Sequence, residues 1–198
     1  MAITVFLFDL DDTLISNKVY AAIYPEIKKM IKIFFSLSEE QFEQKAKSLG
    51  LQKNKYGRFD SGELCRKLRL TEEYYKSLKE HIEIIPVLKK GVHETFEKLK
   101  TERKRIGIVS NSLRRTIMLY LEKYHLQHFV TFIFSAEDAG CKKDNENFWK
   151  LLIKKEKLKP KNCLVIGDNK IDDKEVPERL GFKAFLIRKK IDLRKELL

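Results

Sequence analysis

The chain has 198 residues and carries 41 Lys plus Arg against 29 Asp plus Glu, which gives a formal net charge of +12. This length fits one core domain with a modest insertion, and a hydrophobic content of 43% excludes global disorder. No stretch approaches the roughly 20 apolar residues that a membrane-spanning helix requires.

The first predicted elements are one strand and a long helical segment. Residues 3–9 are mostly β-branched and aromatic, which predicts a strand buried on both faces. In residues 15–87 apolar side chains recur at helical spacing; Pro25 is suited to a helix start, and Ser38–Gln41 forms a capping box. We therefore expect residues 15–87 to contain helices and no strand.

Strands and helices alternate in the rest of the chain. The predicted strands lie at residues 105–110, 131–134, 162–167 and 183–187. Such alternation predicts a parallel sheet with right-handed crossovers. Residues 15–87 would then be an α-helical insertion between the first and second strands of an α/β core that consists of residues 1–14 and 88–198.

Polar side chains follow the ends of the first four predicted strands. They are Asp9, Ser110, Ser135 and Asp168. More acids follow the first and fourth of these strands, namely Asp11, Asp12, Asp172 and Asp173. Because ligands of open α/β sheets bind at the carboxyl ends of the strands, we expect the functional site there.

Carboxylates that converge at one place cannot all stay ionised without a countercharge. A hard cation with oxygen ligands, most simply Mg²⁺, would supply that charge. Ser110 and a lysine near residue 142 would add a hydroxyl group and a positive charge, which completes a set suited to phosphoryl transfer. The alternative is that Asp9, Asp11 and Asp12 only cap a turn, but four strand-end features in order argue against it.

These motifs resemble those of the haloacid dehalogenase (HAD) superfamily, in the branch with a helical cap after the first strand. The matching segments are Phe8–Leu14, Ile108–Ser112, Gly140–Phe148 and Val165–Asp173, and the resemblance spans residues 3 to about 187. It implies a Rossmann-like parallel core of five strands in the order 3-2-1-4-5, with residues 15–87 as a cap that closes over the substrate.

The resemblance also implies a role for each acidic residue. Asp9 would be the nucleophile that forms an aspartyl-phosphate, and Asp11 would be the general acid and later the general base. Mg²⁺ would be held by Asp9, the backbone carbonyl of Asp11, Asp168 and Asp173. The spacing to Gly181 favours Asp173 over its neighbour Asp172 for this role.

The same resemblance implies a set of phosphate-binding residues. Ser110 and Lys142 would bind the phosphoryl oxygens, while Thr13 and Asn111 would orient the loop and the substrate. In relatives a proline usually follows the lysine directly, whereas here Lys143 stands in that place. Both lysines are therefore candidates, and the alignment favours Lys142.

Asp11 separates two chemistries of this superfamily. Cleavage of a carbon–halogen bond needs no acid to protonate the leaving group, whereas cleavage of a phosphate ester does. We therefore expect a Mg²⁺-dependent phosphatase acting on a small phosphorylated metabolite. The alternatives are a phosphotransferase or phosphomutase, a nucleic-acid-end phosphatase, and a non-catalytic phospho-ligand binding protein.

One segment of the helical insertion combines cations with aromatic rings. Residues 53–59, Lys-Asn-Lys-Tyr-Gly-Arg-Phe, contain three cations, two aromatic side chains and no acid. We interpret this segment as a specificity loop for a small phosphorylated substrate. Binding of a nucleic-acid end is possible but not favoured, and a purely structural loop is the remaining alternative.

Two features bear on localisation. The three cysteines are far apart in the sequence, which favours free thiols in a reducing compartment. The first nine residues lack the basic region of a secretory signal. We expect a cytoplasmic protein with no membrane partner.

Overall fold

The structure is a computed structural model that describes residues 2–187 and Leu193. Its chain divides into two compact units. Residues up to Ser16 and from Leu88 onward form one unit, here called the α/β unit, and Asn17–Val87 form the other, here called the helical unit. Within the described residues, no helix is both long enough and apolar enough to cross a lipid bilayer.

The helical unit contains helices and no strand among residues 17–87. The helices are α1 (Lys18–Phe34), α2 (Glu39–Ser48), α3 (Ser61–Lys67) and α4 (Thr71–Ile84). The predicted capping box begins α2, because Ser38 Oγ accepts from the N–H of Gln41 and Gln41 Oε1 accepts from the N–H of Ser38.

The predicted position of Pro25 at a helix start is wrong, since Pro25 lies inside α1. A proline there removes one helical hydrogen bond. Helix α1 tolerates the loss because one of its faces carries an apolar stripe that the unit buries. The stripe consists of Val19, Ile23, Ile27 and Ile31. Burial of this stripe contributes more to the helix than the missing bond removes.

The segment 53–59 forms a tight loop between α2 and α3. Asn54 Oδ1 accepts from the N–H groups of Tyr56 (2.9 Å) and Arg58 (3.2 Å). The ring of Tyr56 lies 5.3 Å from Nζ of Lys55 and 5.1 Å from the guanidinium carbon of Arg58. The loop thus holds an aromatic ring close to two cations.

The α/β unit is built on a parallel sheet, which confirms the predicted fold class. Its strands are β1 (Val5–Phe8), β2 (Arg105–Ser110), β3 (Phe132–Ser135), β4 (Cys163–Gly167) and β5 (Lys183–Leu186). In the described part of the chain they form a five-stranded sheet in the predicted order β3-β2-β1-β4-β5.

Helices connect these strands in the described part of the unit. They are α5 (Val92–Thr101), α6 (Arg114–Lys123), α7 (Ala136–Ala139), α8 (Glu146–Glu156) and α9 (Val176–Arg179). On one side of the sheet, Trp149 of α8 packs between Phe148 and Phe182, with ring centroids 5.6 and 5.4 Å away. These rings belong to a buried cluster with Phe134 of β3, so the start of α8 is anchored in the core.

The register of the central strands positions the site. Phe8, the last residue of β1, pairs with Ile108 on β2 and with Ile166 on β4. Because the three strands are parallel, the residues that follow Phe8, Ile108 and Ile166 emerge at one edge of the sheet. Asp9 and Asp168 are thereby brought to that edge.

Candidate active site

Asp9 follows β1 directly and its backbone is still held by the sheet. Its N–H donates to the carbonyl of Ile166 on β4 (2.9 Å), which extends the hydrogen-bond ladder one residue beyond the strand. The residue is only 6% exposed. The strand therefore fixes the direction of a buried carboxylate.

The chain reverses immediately after Asp9. The N–H groups of Leu14 and Ile15 both donate to the carbonyl of Leu10, at 2.9 and 3.1 Å. Asp12 adopts a φ of 61°, a region that aspartate tolerates better than most residues, and the Lys89 ammonium donates to its carbonyl oxygen. This reversal keeps the half-buried Asp11 close to the end of β1.

Asp173 returns to the end of β4 through a π-helical turn at Ile171–Glu175. Its Oδ2 accepts from the N–H of Asn169 (3.0 Å), and its side chain is 1% exposed. It lies so close to Gly167 that a Cβ placed there would be 2.1 Å from its Cγ. Only glycine at this position leaves room for the carboxylate.

The two loops bring three carboxylates together. Asp9, Asp168 and Asp173 each offer one oxygen, and these oxygens all lie within 4.8 Å of one another. A lysine ammonium lies among them: Nζ of Lys143 is 2.5 Å from Asp9 Oδ1 and 2.6 Å from Asp173 Oδ1. The lysine side chain is only 2% exposed.

The two neighbouring lysines differ in burial and in contacts. Lys142, favoured by the alignment, is exposed, whereas Lys143 is buried with its ammonium between the acids. The reason is the path of the loop. The N–H of Lys143 donates to Asn111 Oδ1 (2.9 Å), and its carbonyl accepts from Trp149 Nε1 (2.8 Å), so the backbone of Lys143 is turned inward.

The residues predicted from the second motif lie at the end of β2. Ser110 is 1% exposed, and its Oγ accepts from the N–H of Ser112 (3.1 Å). Asn111 donates through Nδ2 to Asp172 Oδ2 (2.8 Å) while its Oδ1 receives the N–H of Lys143. Asn111 therefore links three loops at this edge of the sheet.

Thr13 differs from the other predicted residues. Its side chain is fully buried, and its Oγ1 has no hydrogen-bond partner among the described residues. Among the described residues, no hydrogen bond of its hydroxyl connects Thr13 to the carboxylate cluster.

Two contacts were missed by the sequence reasoning. The hydroxyl of Ser112 donates to Asp11 Oδ2 at 2.6 Å, and Asp172 receives the amide of Asn111. Ser112 and Asp11 are 101 residues apart in the chain. The one available signal was their position, each two residues from a strand-end residue on neighbouring parallel strands.

The charges in the cluster are unbalanced. Burial raises the pKa of Asp9 well above its usual value, and the charges of Asp173 and Asp11 raise it further against the effect of Lys143. Burial opposes the charged form of Lys143, but Asp173 and Asp9 outweigh it and raise the pKa of this lysine. The two acids therefore favour the charged form of Lys143 as long as its ammonium lies between them.

This arrangement fits a hard divalent cation. One ammonium faces three carboxylates whose oxygens converge, so the cluster keeps a surplus of negative charge. The donors are all oxygen atoms, the ligands that Mg²⁺ prefers. The residues that could hold the ion are Asp9, Asp168 and Asp173, with backbone carbonyls of the neighbouring loop.

Relatives were found among curated proteins. The chain is 27% identical over 173 residues to pyrophosphatase PpaX of Oceanobacillus iheyensis. This alignment covers 87% of this chain and 78% of that protein. The chain is 22% identical over 172 residues to pyrophosphatase PpaX of Bacillus cereus, which covers 87% of this chain and 77% of that protein. The similarity therefore extends over most of both chains.

Solved structures share the fold. A HAD phosphatase from Thermococcus onnurineus superposes with a TM-score of 0.75 at 19% identity, covering 95% of this chain and 86% of that one. The HAD-hydrolase YfnB from Bacillus subtilis, bound to magnesium, superposes with a TM-score of 0.61 at 18% identity. The superposition covers 94% of this chain and 87% of that one.

A sequence model of one protein family also matches the chain. The model that describes haloacid dehalogenase-like hydrolases matches residues 6–187, a span that includes the strands of the sheet from Phe6 onward and every acidic residue of the cluster. The chain therefore belongs to the haloacid dehalogenase-like hydrolase family.

Proposed function

We propose that this hydrolase is a Mg²⁺-dependent phosphatase that cleaves a small phosphorylated metabolite through an aspartyl-phosphate on Asp9. The observation that supports this proposal most strongly is the convergence of Asp9, Asp168 and Asp173, with the Lys143 ammonium among them. Positioning and charge neutralisation are the main requirements of phosphoryl transfer.

Asp9 is the proposed nucleophile. One carboxylate oxygen of Asp9 attacks the phosphorus atom, a new O–P bond forms, and the ester P–O bond breaks. Its backbone is fixed by the hydrogen bond to Ile166 (2.9 Å). A nucleophile held in this way loses little freedom when it reacts.

Asp11 is the proposed acid and base. In the first step its carboxyl group gives a proton to the departing ester oxygen, and in the second it takes a proton from the water that attacks phosphorus and releases inorganic phosphate and free Asp9. The hydroxyl of Ser112, 2.6 Å from Asp11 Oδ2, orients this carboxyl group.

Lys143 and Ser110 are the proposed phosphate-binding residues. Both side chains are buried, and the Lys143 ammonium contacts Asp9 and Asp173. In a buried site a charge-assisted hydrogen bond to a phosphoryl oxygen is stronger than in water. Asp9, the carbonyl of Asp11, Asp168 and Asp173 would hold Mg²⁺. The bound ion supplies charge neutralisation for the phosphoryl oxygens.

Asp11 also favours phosphate esters over halogenated substrates. A halide leaves without a proton, so an acid two residues after the nucleophile has no task in dehalogenation. Two curated relatives carry the name pyrophosphatase PpaX. Inorganic pyrophosphate is therefore the first compound to test, followed by small phosphate monoesters.

We assign the helical unit the role of a cap. It is inserted directly after the loop that carries Asp9 and Asp11, so its first residues are tethered to the catalytic loop. A cap that closes would exclude bulk water from the reaction, and one that reopens would release product. The loop 53–59, in which the ring of Tyr56 lies close to two cations, is the candidate specificity element of this unit.

The test is hydrolysis of an aryl phosphate, pyrophosphate and a panel of metabolite phosphates, with Mg²⁺ and with a chelator. Asp9→Asn should lose turnover completely, because the amide is not a nucleophile toward phosphorus. Asp12→Asn is the matched control, since it removes a neighbouring carboxylate and asparagine tolerates the positive φ of that position. Equal activity in the wild type and the Asp9→Asn variant would refute the proposal.

A further inference from the structure

Lys143 is a buried residue in a loop whose other residues are exposed or half-buried. Its neighbours Lys142 and Asp144 are exposed, and the segment between Gly140 and α8 contains turns and no regular helix or strand. A lysine side chain has four flexible bonds, so a loop backbone that moves would carry its ammonium away from the acids. Something outside the loop must hold the backbone of Lys143.

Two side chains hold it, one on each side of the residue. Asn111 accepts the N–H of Lys143 at 2.9 Å, and the indole Nε1 of Trp149 donates to the carbonyl of Lys143 at 2.8 Å. Asn111 belongs to the loop after β2. Trp149 lies in α8, six residues after Lys143, and is the one tryptophan of the chain.

Trp149 is suited to this task because its ring is packed in the core. Its side chain is fully buried, and its ring packs against Phe148 and Phe182 with centroids 5.6 and 5.4 Å away. The N–H points out of this apolar cluster at the Lys143 carbonyl. A donor on a rigid element fixes its partner more accurately than a donor on a loop.

We infer that Trp149 is a positioning residue of the active site, which holds Lys143 so that its ammonium reaches both Asp9 and Asp173. The inference deepens the proposed function and rests on it for the effect on catalysis. Its structural part, the dependence of the placement of Lys143 on the indole N–H, stands on the contacts alone.

The sharpest test replaces one atom. Because the chain has a single tryptophan, growth of a tryptophan auxotroph on β-(3-benzothienyl)alanine changes only Trp149 and substitutes sulfur for the N–H in a ring of nearly equal shape. Protein from the same strain grown on tryptophan is the reference. The first readout is acetylation of lysines in the metal-free protein, followed by peptide mass mapping.

We expect acetylation at Lys143 to become several-fold faster without the N–H, while Lys150, an exposed lysine of α8, reacts at an unchanged rate. We also expect kcat for an aryl phosphate to fall about 10- to 100-fold, since small displacements of a positioning group have effects of this size. The inhibition constant of inorganic phosphate should rise in parallel, because Lys143 would bind the product.

Phe182→Leu is the control for packing. It removes a ring that contacts Trp149 and lowers stability, but it leaves the N–H in place. We expect this variant to melt at a lower temperature and to keep the Lys143 labelling rate and the kcat of the wild type. If Trp149 had a purely structural role, the benzothienyl protein would behave like Phe182→Leu. Its melting temperature would fall, and its Lys143 labelling rate and kcat would stay those of the reference protein.

The outcomes separate the two proposals. Unchanged labelling of Lys143 together with unchanged kcat in the benzothienyl protein would overturn the role of Trp149. A reference protein that hydrolyses no phosphate compound would refute the proposed function instead. In that case the labelling rate of Lys143 would still decide whether the indole N–H positions this lysine.

Discussion

The ammonium nitrogen of Lys143 lies 2.5 Å from Oδ1 of Asp9, although the two residues are 134 positions apart in the chain. The same nitrogen is 2.6 Å from Oδ1 of Asp173. All three side chains are almost completely buried. One cation therefore compensates two acids at the bottom of the site, and its removal should affect both folding and catalysis.

Lys143→Met should lower the free energy of unfolding by about 3–5 kcal/mol, because two buried carboxylates would lose their partner. It should also lower kcat/KM about 10²- to 10³-fold, the usual effect of removing a group that stabilises developing charge. Denaturant unfolding and steady-state kinetics measure the two effects.

Lys142→Met is the matched control for this prediction. Lys142 is exposed, so its replacement should change stability by less than about 1 kcal/mol and leave kcat/KM close to that of the wild type. A larger loss of kcat/KM in Lys142→Met than in Lys143→Met would mean that Lys142 is the phosphate-binding lysine.

The fold and part of the site were predictable because they depend on periodic patterns. Buried strands that alternate with helices specify a parallel sheet, and the ends of parallel strands meet at one edge, which brings Asp9 and Asp168 together. For the adjacent pair Asp172 and Asp173, the spacing to Gly181 favoured Asp173 but left both open. In the structure, Asp173 belongs to the carboxylate cluster, whereas Asp172 accepts a hydrogen bond from Asn111.

The choice between Lys142 and Lys143 was not predictable, because both are lysines in a loop without periodicity. Which of them turns inward depends on two hydrogen bonds of the Lys143 backbone. Asn111, which is distant in sequence, accepts one, and Trp149 on the next helix donates the other. The contact of Ser112 with Asp11 was missed for the same reason. Tertiary contacts also explain why Pro25 lies inside α1 and not at a helix start. Burial of the apolar stripe of α1 outweighs the preference of proline for the first turn of a helix.

Gly167→Ala tests the close approach of Asp173 to the end of β4. A Cβ at this position would overlap the carboxylate, at 2.1 Å from Cγ and 2.2 Å from Oδ2. The side chain of Asp173 must then move, and we expect a loss of about 1–3 kcal/mol in stability and a large fall in kcat. Calorimetry and kinetics at saturating Mg²⁺ check both.

Gly181→Ala is the control for the backbone effect. Gly181 has a φ of 85°, so alanine is strained there, but the nearest atom to a Cβ is 3.8 Å away. This variant should lose about 1 kcal/mol of stability and keep its kcat. If both glycine variants retain full activity, the tight packing of Asp173 has no catalytic importance.

Asp11→Asn should separate the two proposed chemical steps. An aryl phosphate has a leaving group that departs without much help from an acid, so Asp9 should still be phosphorylated. The second step needs a base for water, which asparagine cannot supply. We expect a burst of one phenol per active site, followed by turnover reduced about 10²- to 10⁴-fold.

Rapid-mixing absorbance measurements reveal the burst, and acid quenching with a radiolabelled phosphate traps the phosphorylated protein. Alkyl phosphates should give no burst, because their leaving groups need the proton from Asp11. A steady-state rate equal to that of the wild type with both substrate types would contradict the role of this residue.

Asp138 provides a pH-dependent contribution to stability outside the site. Burial alone would raise the pKa of this carboxyl group, but hydrogen bonds from Lys155 and from the N–H and hydroxyl of Ser135 lower it to about 2. Since the folded pKa lies below the unfolded value of about 3.9, the stabilisation is complete above the unfolded pKa. It is lost as the pH falls toward the folded pKa.

Asp138→Asn should therefore lower the free energy of unfolding at neutral pH by about 1 kcal/mol, a value limited by solvent screening of a partly exposed pair. The difference from the wild type should shrink as the pH is lowered from about 5 to about 3, because the Asp138 carboxylate of the unfolded chain takes up a proton in this range while that of the folded protein is still ionised. Urea unfolding at several pH values measures this difference in the free energy of unfolding.

Lys155→Met should show the same trend with a smaller amplitude, since it removes one partner of Asp138 and leaves Ser135 in place. A difference independent of pH would mean that the packing of Asp138, and not its charge, stabilises the start of α7.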